Sequence, residues 1–128
     1  MSTALSEEIM DARHAVLFEP VKIGPKTAPN RFYQVPHASG FGSIKPRTHA
    51  AFRAIKAEGG WGVVNVDYSP VSTDSEEYPA IAADCWDPED MKRLGFVSDA
   101  IHEHGALSGI ELYHGGAESL NGESRYPR

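Results

Sequence analysis

The chain has 128 residues, of which 41% are hydrophobic and 23% are charged, and its formal net charge at pH 7 is −6. This composition is ordinary for a soluble globular protein, and the acidic excess argues against nucleic-acid binding through a basic surface. The single cysteine, Cys85, excludes an intramolecular disulfide and a cysteine cluster for zinc or iron–sulfur within these residues. The sequence has no apolar run of the roughly 18 residues that a membrane span needs and no secretory signal, so we expect a cytoplasmic protein.

The first 31 residues of the chain are polar or rich in turn formers. Residues 1–15 lack a clear apolar face, and we interpret them as an N-terminal extension of a domain that covers residues 16–128. From residue 16 to 31 the density of proline and glycine predicts short extended pieces separated by turns. Residues 32–35 are β-prone and predict a first strand, which Pro36 ends.

A helix and a second strand are predicted next. Residues 48–58 favour a helix, because Ala51, Phe52 and Ile55 share one face and two glycines follow the segment. The β-branched run 63–66 then predicts a strand that is buried on both faces. A long loop is expected after that strand.

The second helix carries the strongest local signals. Asp87 is a good N-cap, Pro88 takes the first helical position, and two carboxylates follow where the helix dipole favours negative charge. Gly105 ends this helix, and residues 106–112 predict a third strand. Strands and helices therefore alternate, which predicts an α/β protein whose parallel strands are joined by right-handed crossovers.

Each predicted strand is followed by polar or aromatic residues at its carboxyl end, where α/β proteins collect their binding sites. These residues are Pro36, His37 and Ala38 after the first strand, Asp67 and Tyr68 after the second, and Glu111, Tyr113 and His114 after the third. Any one of them is equally well explained as an ordinary loop residue. Because all three strand ends share the property, we interpret them as a site.

The residues at the strand ends are compatible with either a metal centre or a binding site for an organic cofactor. The residues of metal-ligand type are His37, Asp67, Glu111 and His114. A Glu-x-x-His spacing on a strand does not bring both side chains to one face, so we predict no metal. The glycines within 40–42 and 115–116 would let a backbone approach a planar or phosphorylated ligand, although neither segment is an established phosphate-binding motif.

Several segments together resemble the old yellow enzyme family of flavin oxidoreductases. The segments are LFEPVKIG at 17–24, NRF at 30–32, VPH at 35–37, KAEGGWGVV at 56–64 and ELYHGG at 111–116. Within this family the trimethylamine and dimethylamine dehydrogenases are most similar, since they share the run RFYQVPH, the helix end before Trp61 and a Glu-Leu-x-x-Gly-Gly segment. The resemblance covers most of the chain.

The resemblance implies a (β/α)₈ barrel that holds FMN at the carboxyl ends of its strands. A full barrel needs about 250 residues. We therefore expect this chain to be the N-terminal portion of such an enzyme, with about three of the eight strands. An iron–sulfur cluster would belong only to segments that lie beyond these residues.

The resemblance also implies roles for five residues. Pro36, His37 and Ala38 would lie along the flavin ring, mainly through backbone contacts, and Glu111 would meet the pyrimidine edge of the flavin. Tyr68 would form one wall of an aromatic bowl around a methylated ammonium group. The simpler alternatives are a core aromatic for Tyr68 and a salt-bridged carboxylate for Glu111. Since the relatives attach their flavin through a cysteine where this chain has Ala38, we expect noncovalent FMN.

The predicted function is that of an FMN-dependent oxidoreductase that removes methyl groups from amines by oxidation. One alternative is a flavin ene-reductase that uses NAD(P)H, and another is a non-catalytic fragment that pairs with itself or with a complementary fragment. The expected partners are a small amine and a second copy or complementary fragment, without nucleic acid or membrane. No catalytic residue is assigned, and His37 and His114 are candidate bases only by default.

Overall fold

The structure, a computed structural model, describes residues 11–75 and 82–116. Its first element is a 3₁₀ helix, Ala12–Phe18. The division of the chain into an extension, 1–15, and a domain, 16–128, stays a prediction. Within the described part of the chain, no helix is both long and apolar enough to cross a membrane.

An antiparallel hairpin follows the 3₁₀ helix. Strand β1 (Val21–Ile23) pairs with strand β2 (Lys26–Ala28). The turn between them places Gly24 at φ = +56°, a left-handed conformation that glycine adopts without a Cβ penalty. The prediction of short extended pieces separated by a turn is confirmed for this hairpin.

Three parallel strands and two crossover helices form the rest of the described chain. The sheet has the order β3 (Tyr33–Gln34), β4 (Val63–Pro70) and β5 (Leu107–Tyr113). Helix α1 (Pro46–Glu58) joins β3 to β4, and helix α2 (Pro88–His102) joins β4 to β5. The predicted alternation of strands and helices is therefore confirmed.

Strand β4 is longer than the sequence suggested. It continues to Pro70, because pairing with β5 resumes after an irregularity between Asn65 and Tyr68. Seven of its eight residues are buried, and Tyr68 is the exception, so the predicted burial of this strand is confirmed. The loop predicted to follow β4 includes residues 76–81, which lie outside the described residues.

The hydrophobic core lies between the sheet and the two helices. Its buried members are Ala50 and Ala57 of α1, Val64 and Val66 of β4, Ala83 of the following loop, Val97 and Ile101 of α2, and Ala106. Because Val64 and Val66 of β4 pack on the helices, Val63 and Asn65 point to the opposite face of the sheet. The irregularity between Asn65 and Tyr68 interrupts this alternation, so that Asp67 faces α1.

The predicted apolar face of α1 is wrong. Ile55 is 66% exposed and Ala51 is exposed, whereas His49, Arg53 and two alanines face the sheet. The reason lies in β4, which presents the buried carboxylate of Asp67 to this helix. A buried charge requires a partner, so the helix turns its long polar side chains inward.

Helix α2 begins as predicted. Asp87 accepts hydrogen bonds from the backbone N–H groups of Glu89 and Asp90, and a reciprocal contact from Asp90 completes a capping box. The helix ends at His102, and Gly105 follows at φ = +77°.

Asp84, in the loop before α2, is expected to lower stability at neutral pH. Its Oδ1 is buried without a hydrogen-bond partner among the described residues, and burial raises the pKa of this carboxyl. A folded-state pKa above the unfolded value means that folding disfavours the ionised form, a penalty that vanishes once pH falls below the unfolded pKa. Asp84→Asn should therefore raise the thermal unfolding midpoint at pH 7 and match the wild type near pH 3. Asp99 is exposed, so Asp99→Asn is the control. An equal rise of its unfolding midpoint at pH 7 would contradict this explanation.

Candidate functional site

The parallel sheet brings the carboxyl ends of β4 and β5 together. Tyr68 stands opposite Glu111 in the register of the two strands, and Pro70 stands opposite Tyr113. The rings of Tyr68 and Tyr113 meet edge to face, with their centroids 5.2 Å apart. Three residues that the sequence placed at strand ends therefore form one cluster.

The strand-end loop, residues 36–39, follows β3. In it Pro36 is half-buried, while His37 and Ala38 are exposed. The imidazole of His37 is turned back toward α1, where its centroid lies 6.3 Å from that of Phe52. His37 and Ala38 are thus exposed residues, while the ring of His37 is engaged with the helix.

A network of buried polar side chains lies beneath the strand-end loop. Arg53 of α1 and Asp67 of β4 are both fully buried and form an ion pair between Nη2 and Oδ1. The hydroxyl of Ser39 donates to the other Asp67 oxygen at 2.9 Å. His49 Nε2 lies 3.3 Å from both Asp67 Oδ1 and Arg53 Nε. The carboxylate is therefore surrounded by polar groups from the loop and from α1.

These contacts determine the charge state of Asp67. Burial by itself raises the pKa of this carboxyl. The hydrogen bond and charge of His49, together with hydrogen bonds from Arg53 and Ser39, outweigh burial and bring the pKa of Asp67 below its ordinary value. Asp67 is thus an anion at neutral pH, as its pairing with Arg53 requires.

Arg53 also reaches β3 and the loop after it. Its Nη1 donates to Gln34 Oε1 at 3.2 Å, and its Nη2 donates to the backbone carbonyl of His37 at 2.7 Å. The backbone N–H of Asn65 donates to the same Gln34 oxygen at 3.2 Å. One guanidinium therefore links α1, β3, β4 and the strand-end loop.

Sequence reasoning noted Asp67 but missed His49 and Arg53. The available signal was their separation of four residues, which puts both side chains on one face of a helix. A second signal was a carboxylate within an otherwise strongly β-forming run. Together they point to a polar helix face and a strand carboxylate, but they do not reveal the acceptors of Arg53 on β3 and in the strand-end loop.

The residues of metal-ligand type are not assembled into a centre. Among the described residues, no group of three or more histidine, cysteine, aspartate or glutamate side chains is placed to hold a metal ion. His114 instead accepts a hydrogen bond from the N–H of Gly116 through Nδ1, and its Nε2 lies 3.5 Å from Asp74 Oδ1. His37 Nδ1 faces the side-chain amide of Gln34 at 3.1 Å.

The glycine segments adopt conformations that suit tight turns. Gly40, Gly42 and Gly116 all have positive φ angles of +74°, +34° and +60°. Such backbone geometry is open to close approach by a ligand, because no Cβ projects from it. The use of these segments by a cofactor stays a prediction.

The strand ends offer a surface suited to a planar, partly apolar molecule. Glu111 has an exposed carboxylate with no hydrogen bond or ion pair to another described residue. The rings of Tyr68 and Tyr113 lie next to it. A molecule with an N–H donor on one edge and an apolar or cationic part would find both an acceptor and aromatic contacts here.

A family profile described as NADH:flavin oxidoreductase / NADH oxidase matches residues 16–127. The chain belongs to this family. Among its relatives, dimethylamine dehydrogenase from Hyphomicrobium sp. (strain x) is 45% identical over 115 residues, which cover 90% of this chain and 16% of the relative. N,N-dimethylglycine/sarcosine dehydrogenase from Chromohalobacter salexigens is 29% identical over 107 residues, or 80% of this chain and 15% of the relative.

A solved structure has a closely similar fold. Histamine dehydrogenase from Rhizobium sp. 4-9 superposes with a TM-score of 0.84 and 44% identity, over 92% of this chain and 18% of that chain. This likeness confirms the predicted fold, the N-terminal portion of a (β/α)₈ barrel, of which three strands are described here. The chain spans less than a fifth of the length of each of these three relatives.

Proposed function

We propose that the complete protein is an FMN-dependent oxidoreductase that oxidises amines, and methylated amines in particular. The observation that carries this proposal is the pair of rings, Tyr68 and Tyr113, next to Glu111 at the strand ends of a chain in this family. The names of the two amine-oxidising relatives, dimethylamine dehydrogenase and histamine dehydrogenase, support the substrate class.

The residues present fit one side of a flavin ring. When bound, FMN supplies the two-electron oxidation, and the protein supplies binding and orientation. The exposed residues His37 and Ala38 can lie along the ring, and the Glu111 carboxylate can accept a hydrogen bond from the ring N3–H. Pro36 completes this segment as a rigid, half-buried residue.

The two tyrosines suit a positively charged substrate. A substituted ammonium group is attracted to the face of an aromatic ring, and the attraction grows when water is excluded. The edge-to-face contact with Tyr113 fixes the orientation of the Tyr68 ring. Tyr68 is therefore proposed as a substrate-binding residue.

The flavin is proposed to be noncovalently bound. Ala38 has no nucleophile, and Cys85 lines the same cavity as Val66, Leu94 and Ile110, which places it on the helix-packed side of the sheet. Burial also raises the pKa of the Cys85 thiol, which keeps it protonated and weakly nucleophilic. Neither residue supplies a linkage to the cofactor.

The proposal is tested on the complete gene product, purified and assayed for flavin. Acid precipitation should release FMN into the supernatant and leave the polypeptide colourless. Anaerobic addition of dimethylamine or trimethylamine should bleach the bound flavin. Bleaching by NADPH but by no amine would favour an ene-reductase, and a protein that binds no flavin would overturn the proposal. A native mass of 13.9 kDa without flavin would favour the non-catalytic fragment.

Glu111 is expected to lower the reduction potential of the bound flavin. A carboxylate disfavours the negative charge gained on reduction, and two unit charges about 6 Å apart at an effective dielectric constant near 20 interact by about 3 kcal/mol. Glu111→Gln should therefore raise the two-electron potential by up to about 60 mV. The measurement is a dye-equilibrated reductive titration. Glu58→Gln, at the far end of α1, is the control, and an unchanged potential in Glu111→Gln would contradict the proposed position.

A further inference from the structure

The strand-end loop is held from beneath on both sides of Ala38. On one side, Arg53 Nη2 donates to the backbone carbonyl of His37 at 2.7 Å. On the other, the Ser39 hydroxyl donates to Asp67 at 2.9 Å and accepts from the backbone N–H of Phe41 at 3.3 Å. Because Arg53 and Asp67 are paired with each other, both sides of the loop are tied to one buried ion pair.

The ring of His37 is tied to the same network. Two donors, Arg53 Nη1 and the backbone N–H of Asn65, face Gln34 Oε1 and so define its position. The amide nitrogen of Gln34 must then face His37 Nδ1, which it approaches at 3.1 Å. His37 Nδ1 therefore accepts a hydrogen bond, and the imidazole is an anchor for the loop on the α1 side.

The chemistry of this pair points to positioning and not to stability alone. Two buried charges cost much desolvation free energy, and apolar residues of similar volume often stabilise a protein as well or better. The planar guanidinium of Arg53 serves several acceptors at once, among them Asp67, Gln34 and the His37 carbonyl. A lysine could not do so, because its ammonium is a compact point charge without a fork of donors.

We propose that Arg53, through its ion pair with Asp67, is a positioning residue that holds the strand-end loop in the conformation that receives the cofactor. The inference rests on the proposed function, in which the backbone of His37 and Ala38 lies along FMN. Loosening the pair should free the loop and weaken FMN binding while the fold is kept.

The test compares Arg53→Lys and Ser39→Ala with Arg93→Lys in the complete gene product. Arg93 is a matched control, because it pairs with the nearly buried Asp90 at 3.0 Å on α2 and touches no residue of the loop. Hydrogen–deuterium exchange of a peptide that covers residues 35–41 reports loop order without flavin. The FMN dissociation constant is measured by fluorescence on protein shown to be folded by circular dichroism.

Arg53→Lys should speed exchange in the 35–41 peptide and raise the FMN dissociation constant at least about tenfold, the effect of losing a hydrogen bond to a charged group. Ser39→Ala should speed exchange and raise the FMN dissociation constant by a smaller factor than Arg53→Lys does. Arg93→Lys should change neither. The inference would be overturned if the 35–41 peptide exchanged at the wild-type rate in both Arg53→Lys and Ser39→Ala. It would also be overturned if Arg93→Lys changed the exchange rate and the FMN dissociation constant as much as Arg53→Lys does. If the wild-type protein binds no FMN, the proposed function is wrong. The hydrogen–deuterium exchange of the 35–41 peptide then decides by itself whether Arg53 anchors the loop.

Discussion

Replacing Asp67 by alanine is expected to lower the free energy of unfolding by about 3–5 kcal/mol, because Arg53 would remain buried without its counter-ion. Both side chains have no exposed surface, so water cannot replace the lost carboxylate without disturbing the packing. Urea denaturation measures the loss. If the variant is too unstable to purify, Asp67→Asn keeps the shape and should show a smaller loss in the same direction.

The control for this prediction is the exposed ion pair of Lys92 with Glu89. Its atoms are 3.8 Å apart, and the two side chains are 66% and 57% exposed. Exposed pairs contribute little, because solvent screens them and side-chain entropy opposes them. Lys92→Ala should therefore leave the urea midpoint nearly unchanged. Equal losses in Asp67→Ala and Lys92→Ala would contradict the importance assigned to burial.

The same carboxylate predicts how stability depends on pH. The pKa of Asp67 is lowered on folding, so its contribution is fully present above the unfolded value and is lost as pH falls through the folded value. The stability difference between wild type and Asp67→Asn should thus be constant from pH 7 to about pH 5 and shrink below pH 4. A difference that persists at pH 2 would show that another group carries the effect.

Local signals were sufficient to predict the order of the elements. The N-cap and proline before α2 and the β-branched run of β4 specify those elements through interactions within a few residues. The inward face of α1 was predicted wrongly, because the sequence of that helix does not contain the reason for it. The reason is the buried carboxylate of Asp67 on the next strand.

In the candidate site too, some residues could be predicted from the sequence and others depend on contacts between distant segments. Tyr68 and Glu111 follow from a rule of topology, since carboxyl ends of parallel strands share one edge of a sheet. Their roles as binding residues stay predictions. Arg53 was missed because its function depends on acceptors from three separate segments, which only the folded chain brings together.

Among the described strands, β5 forms one edge of the parallel sheet and carries exposed apolar side chains. On β5, Ile110 is 42% exposed and Leu112 is 65% exposed, and Met91 of α2 is 46% exposed beside them. An uncovered apolar strand at a sheet edge favours association. A following segment of barrel, a second copy or a complementary fragment would each bury these side chains, and the expected partner stays a prediction.

Replacing Tyr68 by leucine is expected to weaken binding of a methylated amine, the proposed substrate, about 30-fold. The face of a desolvated tyrosine attracts a substituted ammonium by about 2 kcal/mol, and leucine keeps the apolar bulk without that attraction. Anaerobic stopped-flow bleaching of the flavin separates the dissociation constant of the amine from the limiting rate. The dissociation constant should rise by that factor, while the FMN dissociation constant stays unchanged.

Tyr68→Phe is the matched variant, because it keeps the ring face and its edge-to-face contact with Tyr113. Its dissociation constant for the amine should stay within about threefold of the wild type, since the phenyl ring retains most of the cation–π attraction. An unchanged dissociation constant in Tyr68→Leu would show that the ammonium group binds elsewhere. Equal losses in both variants would assign the effect to the phenolic hydroxyl, and the ring would then hold the substrate through a hydrogen bond and not through its face.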